Sequence, residues 1–321
     1  MDTLKIGHLK IKYRAILSPL ASLTDITFRR LLDEIGCAGY MVTEMISAEG
    51  IRRKQEKTLR MIRSFDARTP QFVQVFGFQP EPFVEAVKYI ENETGFAGID
   101  INMGCPATKV MKKGGGAALL KDPPLAGRIV AEIKKHSKLP LTVKIRLGFD
   151  KVNVFEMIKV LEQEGADAIV VHFRLKSDGY QGTAKWEYAP QIREKINTVL
   201  IGNGDIRSAA EAKEKLTVVD GVMIGRGGLA NPLIFAEIAG EEPVCGGRTW
   251  DFAGVLNRLL ELIAEYYEEK LRLPRVKAFT RFLFWGKKYG KKARQRIYSA
   301  STFEEAKAYF AALTKNDFNC L

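Results

Sequence analysis

Two kinds of apolar pattern alternate along this chain. Short runs that are apolar almost throughout, each stopped by Gly, Pro or a polar residue, recur at Ala15 to Leu20, Tyr40 to Thr43, Phe72 to Phe76, Ile99 to Met103, Leu141 to Ile145, Ala168 to Phe173, Val199 to Ile201 and Gly221 to Ile224. Between them apolar residues return at helical spacing: Phe28, Leu31, Leu32 and Ile35 before Gly36, then Phe83, Val87 and Ile90, then Ile129 and Ile133. Further helices fit Phe155 to Glu164 and Ser208 to Leu216. Strands this apolar are covered on both faces, as parallel strands are. Eight strand-helix units within residues 1–240 predict an α/β fold, a (β/α)8 TIM barrel, with a doubly wound open sheet as the competing arrangement.

After residue 240 the pattern changes. Pro243 and two glycines mark Glu241 to Gly247 as a linker, and no further strand-like run follows it. Helices are predicted over Asp251 to Lys270 and Val276 to Tyr289, with Trp250 ahead of the first read as a core residue. Thr302 and Glu305 form a capping box for a last helix that carries Ala306, Tyr309, Phe310 and Leu313. The expected division is a catalytic barrel over 1–240 and a small all-helical C-terminal domain over 241–321.

Barrel enzymes keep their chemistry where strands end and the following loops begin. The polar residues of this chain collect there: Glu44 after the second run, Gln74 near the end of the third, Asn102 and Cys105 after the fourth, Lys144 and Arg146 at the fifth, His172 and Arg174 at the sixth. Cys105 sits in GFAGIDINMGCPATKVMKKGGGAALLKDP, where a strand breaks at Gly104 and gives way to Pro106, a Lys112-Lys113 pair and three glycines. A lone cysteine is ordinarily buried and inert; the surroundings of this one, a loop at a strand's C-terminal end, point to chemistry. After the seventh and eighth runs come GNGD (202–205) and GRG (225–227), glycine turns able to present N–H groups to a phosphate, with the Arg226 guanidinium beside them.

Composition narrows the setting. Of 321 residues 46% are hydrophobic, and no apolar run reaches the roughly 18 to 20 residues that cross a bilayer. The N-terminus lacks a signal-peptide core, so a cytoplasmic protein without membrane attachment is expected. Four cysteines without CxxC spacing signal neither a metal site nor a disulfide framework. Fifty Lys and Arg against 38 Asp and Glu leave a charge of +12, which favours an anionic partner. Arg275 to Arg296 carries nine basic residues and no acid, which suits a phosphate-facing surface; Phe279, Phe282 and Trp285 recur within it at helical spacing, read as core rather than as stacking platforms.

SPLASLTDITFRR (18–30), TEMISAEG (43–50), VQVFG (73–77), DINMGCPATKVMKKGGGAALL (100–120), VKIRLG (143–148), GNGDI (202–206) and GVMIGRG (221–227) together resemble the FMN-dependent tRNA-dihydrouridine synthases. The resemblance covers nearly the whole chain. It implies reduction of the 5,6 double bond of selected uridines in tRNA, with NADPH as reductant and a helical tail that helps to grip the RNA. By the same resemblance Cys105 aligns with the acid that protonates carbon 5 of uracil, a task suited to a free thiol, which is mostly protonated at neutral pH. Pro19, Leu20 and Ala21 would lie along the flavin ring, Gln74 would meet its polar edge, Lys144 would set a positive charge against it, and His172 would lie nearby. Asn203, Gly204, Asp205, Gly225 and Arg226 match the holders of the ribityl phosphate. Asn102, Arg146 and Tyr180 are the candidates for the uracil. The plainer alternatives are a solvated strand-end Lys144, a hydrogen-bonded core His172 and a Tyr180 that covers the barrel rim.

One departure from the family is HFRL (172–175), where Phe173 and Leu175 stand in place of smaller residues around Arg174. Rival functions are a flavin barrel acting on a free pyrimidine, as the dihydroorotate dehydrogenases do, an rRNA-directed dihydrouridine synthase, and an RNA-binding barrel without catalysis. No metal is expected, and a monomer is expected. The modified position, the choice of NADPH over NADH and the oligomeric state are not legible.

Overall fold

A computed structural model describes residues 3–179, 181–245, 248–286 and 290–312. Eight parallel strands, β1 (Ala15–Leu17), β2 (Met41–Ser47), β3 (Gln71–Phe76), β4 (Gly98–Asn102), β5 (Leu141–Gly148), β6 (Ala168–Leu175), β7 (Val199–Asn203) and β8 (Gly221–Ile224), pair in chain order, and β8 closes onto β1. The closed barrel excludes the open sheet. Helices cover its outside, which is why the strands are buried almost end to end.

The barrel interior is layered. Because side chains alternate along a strand, every second residue points inward. At the N-terminal end those positions are apolar: Ile16, Val42, Phe72, Val170, Ile201 and Met223 belong to one buried cluster, and Phe72 stacks on Tyr40 at 4.4 Å. An antiparallel hairpin, Leu4–Ile6 with Leu9–Ile11, adds Leu4, Ile6 and Ile11 to this cluster and plugs the barrel floor. The sequence patterns gave no sign of this hairpin, since three-residue strands are too short for a periodic signal. Two residues beyond Ile16, Phe72, Val170 and Ile201 the positions turn polar, with Ser18, Gln74, His172 and Asn203.

The C-terminal helices differ from their expected bounds. The first, Phe252–Tyr266, ends before Tyr267, whose backbone is extended. Tyr267 is drawn away by its own contacts, its hydroxyl to Asp25 and its carbonyl to Arg272 Nε at 2.9 Å. The second, Glu269–Leu283, starts earlier than Val276 and contains Pro274. Anchoring by Arg275 on Asp25 at 2.8 Å and burial of Val276 and Phe279 outweigh the hydrogen bond that the proline forgoes. Helices Gly290–Ser299 and Phe303–Ala311 follow. Thr302 caps the last one by accepting the Glu305 N–H, but the Glu305 carboxylate returns to the Ser301 N–H, so only half of the capping box is present. The linker is not strand-free either: Val244–Cys245 and Arg248–Thr249 form a two-residue ladder. Trp250 is buried, and Phe279 stacks on Phe28 of the first barrel helix at 5.8 Å, so tail and barrel share one apolar cluster. Tyr289 and Leu313 lie outside the described residues.

Candidate active site

Strand register assembles the site. Gln74 lies opposite Asp100, Asn102 opposite Lys144, Arg146 opposite His172, and His172 opposite Asn203. Partners in register share a face, so polar residues scattered over 130 positions of sequence, from 74 to 203, become one inward layer at the barrel's C-terminal end. Above it opens a cavity of about 470 Å³. Pro19, Leu20, Ala21, Gln74, Asn102, Cys105, Lys144, Arg146, His172, Asn203, Gly204, Asp205, Gly225 and Arg226 all line it. Tyr180 lies outside the described residues.

The Cys105 loop is pinned through its backbone. Asn102 Oδ1 accepts the N–H groups of Gly104 at 3.2 Å and Cys105 at 2.9 Å, and Arg146 Nε donates to the Gly104 carbonyl at 2.8 Å. The Cys105 carbonyl accepts from the Ala117 N–H at 3.0 Å. Gly116 makes that approach possible: its φ is +59°, and a Cβ there would lie 2.8 Å from the Cys105 carbonyl oxygen. Cys105 itself is half-buried at the cavity wall.

These contacts change what two residues offer. Asn102 was expected to present a donor and an acceptor to a ligand, but its oxygen is occupied by the loop and its Nδ2 donates to Gln74 Oε1 at 2.8 Å. Gln74 in turn donates from Nε2 to Asp100 at 2.6 Å, and Asp100 also accepts from the Thr142 hydroxyl. Arg146 reaches the Leu175 and Gly179 carbonyls, each at 2.9 Å, besides that of Gly104, and so braces the Cys105 loop against the loop after β6.

Charge in the layer is predominantly positive. Lys144 Nζ donates to Asn203 Oδ1 at 3.0 Å, and Asn203 Nδ2 donates to the Met223 carbonyl at 2.7 Å, which fixes the amide's orientation. Burial, with help from Arg146, pushes Lys144 down to about 8 against the pull of Asp100. Asp100 is pushed up by burial to about 6, opposed by its hydrogen bonds and by Lys144. His172 is held well below its ordinary value by burial and then by Lys144 and three arginines, so it is neutral at physiological pH. Arg174, which can only donate, lies 3.3 Å from His172 Nε2, so the neutral ring carries its proton on Nδ1.

The opposite wall is built on Asp205. Gly204 and Asp205 have φ of +135° and +53°. The Asp205 carboxylate accepts from Arg174 at 2.5 Å, the Ala184 N–H at 2.8 Å and Arg226 at 3.3 Å. It is held below the carboxylate range by Arg174, the Ala184 N–H and Arg226 despite the opposing cost of burial. Its side chain therefore aims Arg226 rather than facing an anion itself. The HFRL departure also has a structural reason: His172 and Arg174 point into the barrel, while Phe173, on the other face, packs on Trp186 at 4.5 Å. Leu175 contributes its carbonyl to Arg146.

Sequence reasoning missed the contribution of the tail. Arg281, Phe282 and Trp285 line the cavity, so Phe282 and Trp285 are rim residues, unlike Phe279 and Phe284, which are core. The Trp285 ring lies 4.6 Å from the Arg207 guanidinium and 5.5 Å from that of Arg226. Their helical spacing was visible; which face of the helix met the barrel was not. The basic run is also divided: Arg275 donates to the Ser22 carbonyl at 2.6 Å and Lys277 to that of Ala300 at 2.8 Å, whereas Arg281, Lys291, Lys292 and Arg296 are exposed. Glu44 accepts the Ser22 N–H from the other side, which fixes the loop that carries Pro19 to Ala21. Among the described residues no cluster suited to a metal is present and no helix is long and apolar enough to cross a membrane.

The fold and the sequence have known counterparts. Morphinone reductase in complex with tetrahydroNAD aligns with a TM-score of 0.55 at 14% identity over 78% of this chain and 91% of that one, which is a likeness of fold. A probable tRNA-dihydrouridine synthase of Rickettsia bellii is 35% identical over 281 residues, 84% of this chain and 85% of the relative. tRNA-dihydrouridine synthase B of Pasteurella multocida is 38% identical over 236 residues, 72% of this chain and 70% of the relative. The family described as dihydrouridine synthase (Dus) matches residues 16–317. With the Cys105 loop, the barrel from its first strand onward and the tail as far as residue 317 inside that match, the chain belongs to the dihydrouridine synthase family and is an oxidoreductase.

Proposed function

We propose that this dihydrouridine synthase reduces the 5,6 double bond of specific uridines in tRNA, with FMN as cofactor, NADPH as reductant and Cys105 as the proton donor. The observation that carries this reading is the meeting of three things at one cavity: the Cys105 thiol, a layer of desolvated cations, and a rim supplied by the basic tail. Exposed Arg281 beside Phe282 at the mouth favours an RNA over a free pyrimidine, which needs no cation at the rim to meet flanking phosphates. A uridine in folded RNA is stacked and must swing out to reach such a site, and exposed Arg281, Lys291, Lys292 and Arg296 suit the phosphates around it.

The donor set fits FMN. A volume of about 470 Å³ lies within the range of small-molecule sites. Pro19, Leu20 and Met45 offer an apolar wall to a flat ring, and the turns at Gly204 and Gly225 with Arg226 offer N–H groups and a guanidinium to a phosphate. When bound, FMN supplies hydride transfer between NADPH and carbon 6 of uracil. The chain's residues do the rest. Lys144, aimed by Asn203, places a positive charge where negative charge collects on the ring. Gln74 keeps one amide hydrogen beyond the one it gives Asp100, while the second hydrogen of Asn102 faces Met45 Sδ at 3.8 Å, and Cys105 delivers a proton to carbon 5 from a loop fixed at four backbone atoms. The cytoplasm, where tRNA and reduced thiols coexist, is the fitting compartment.

The test is dihydrouridine mapping by mass spectrometry in RNA from cells with and without this gene. Loss at one tRNA position, restored by purified FMN-bound protein, is the expected result. Loss in rRNA alone redirects the substrate assignment, and no change in any RNA overturns it.

A further inference from the structure

We propose that Asp100 is a positioning residue: its carboxylate sets the direction of a buried chain of amides that presents Cys105. The proposal deepens the reading of Cys105 as the proton donor and rests on it for its relevance to turnover. Asp100 is fully buried at the mid-height of the barrel, two residues before Asn102 on β4. An ionised carboxylate only accepts hydrogen bonds. Asp100 therefore requires Gln74 to turn its Nε2 toward it, as it does at 2.6 Å. Gln74 must then show Oε1 to Asn102, which answers with Nδ2 at 2.8 Å. Asn102 is left with Oδ1 toward the loop, where two N–H groups, those of Gly104 and Cys105, need an acceptor.

Shape does not enforce this order, since an amide turned by 180° fills nearly the same space. Reversed, the chain would set the Asn102 NH₂ against the two loop N–H groups and release the loop. The single charge at Asp100 selects one direction, because hydrogen bonds to a charged acceptor are about twice as strong as neutral ones. Thr142 and Lys144 support that charge: the hydroxyl donates to the second oxygen and the ammonium lies in the same inward layer, opposite Asn102 in register.

The test moves the carboxylate along the chain in FMN-loaded protein and reads amide hydrogen exchange in the peptide that holds Gly104 and Cys105. In Asp100→Asn both directions become available, and loop protection should fall about tenfold or more. In Asn102→Asp an oxygen stays on the loop, but two carboxylates flank a Gln74 that has a single NH₂, and their repulsion should loosen the chain and lower protection. The double variant, Asp100→Asn with Asn102→Asp, again has one carboxylate, with the chain reversed and an oxygen still on the loop, so it should recover most of the protection lost in Asn102→Asp. Gln74→Met, which cuts the chain without touching a charge, should also lose protection. Wild-type exchange in Asp100→Asn and Gln74→Met, or a double variant no better than Asn102→Asp, would overturn the proposal. If a single variant fails to fold, recovery of folding in the double variant reads the same coupling. Exchange does not depend on what the thiol does: full turnover in Cys105→Ala sinks the proton-donor reading and leaves the ordering of these variants standing.

Discussion

The lower and upper halves of the barrel interior are made by the same strands and behave in opposite ways. Phe72 and Gln74, Val170 and His172, and Ile201 and Asn203 are each one pleat apart, yet the first of each pair fills an apolar floor and the second joins the polar layer at the mouth. On the floor the buried apolar side chains add to stability. At the mouth every buried polar group loses hydration and is kept only because another group satisfies it, as Asn203 satisfies Lys144 and Gln74 satisfies Asp100. Stability and chemistry are therefore separated by two residues along these strands, and substitutions should separate in the same way.

The largest expected effect lies at the mouth and should leave stability alone. Cys105→Ala keeps every backbone bond that holds the loop, since Asn102, Arg146 and Ala117 contact its main chain or that of Gly104. FMN should remain bound while uridine reduction in single-turnover assays slows by about 10² to 10⁴-fold, the usual range for loss of a general acid. Full turnover would remove Cys105 from that role. The converse lies on the floor. Phe72→Ala removes a ring that stacks on Tyr40 and covers Gly98, where a Cβ would lie 2.5 Å from it, and should cost about 3–5 kcal/mol in denaturant unfolding. The fraction that stays folded should bind FMN normally; impaired binding there would mean that floor and mouth are not separable.

How much of this was legible follows the same division. All eight strands and their order could be read, because parallel strands covered on both faces leave unbroken apolar runs, and the strand ends carry the polar residues of the site. Asp100 gave a signal that went unused, a carboxylate two positions before Asn102 in an apolar strand. What could not be read depends on long-range contact. Asn102, Arg146 and Asp205 looked like ligand groups and turn out to spend side-chain atoms on the protein itself. Phe282 and Trp285 looked like core because spacing marks an apolar stripe without saying what lies beside it. The helix from Glu269 runs through Pro274 because Arg275 reaches Ser22 and Asp25, which are some 250 positions earlier in the chain.

Lys144 should show both behaviours at once with opposite signs. Burial pushes it down to about 8, so at pH 7 the folded protein holds a desolvated charge that the unfolded chain holds in water. A depressed pKa means that the stability contribution is present above the unfolded value, near 10.5, and is lost as pH falls through about 8. Lys144→Met should therefore raise the melting temperature of the FMN-free protein by a few degrees at pH 7, with the gap closing toward pH 10. The gain is reduced because Asp100 loses a neighbouring cation. FMN affinity, followed by flavin fluorescence, should fall in the same variant. A lower melting temperature at pH 7 would show that Lys144 is held by more than it loses.

The smallest expected effect tests whether the mouth extends to the tail. Trp285 lies over Arg207 and Arg226, and Arg226 is aimed by Asp205 at the end of the barrel that carries the two glycine turns. A ring over a guanidinium at a partly exposed site contributes about 0.5–1 kcal/mol, so Trp285→Ala should weaken FMN binding by about two- to fivefold. Trp285→Phe, which keeps a ring in place, should lose less. The melting temperature should hardly move, because Trp285 is half-buried and the tail's core is made by Phe279, Leu283 and Phe284. Steady-state kinetics with tRNA divide the outcomes further. A change confined to FMN affinity places Trp285 in the barrel's phosphate wall, whereas a raised KM for tRNA with unchanged FMN affinity would assign the ring to the RNA and end the site at Arg226.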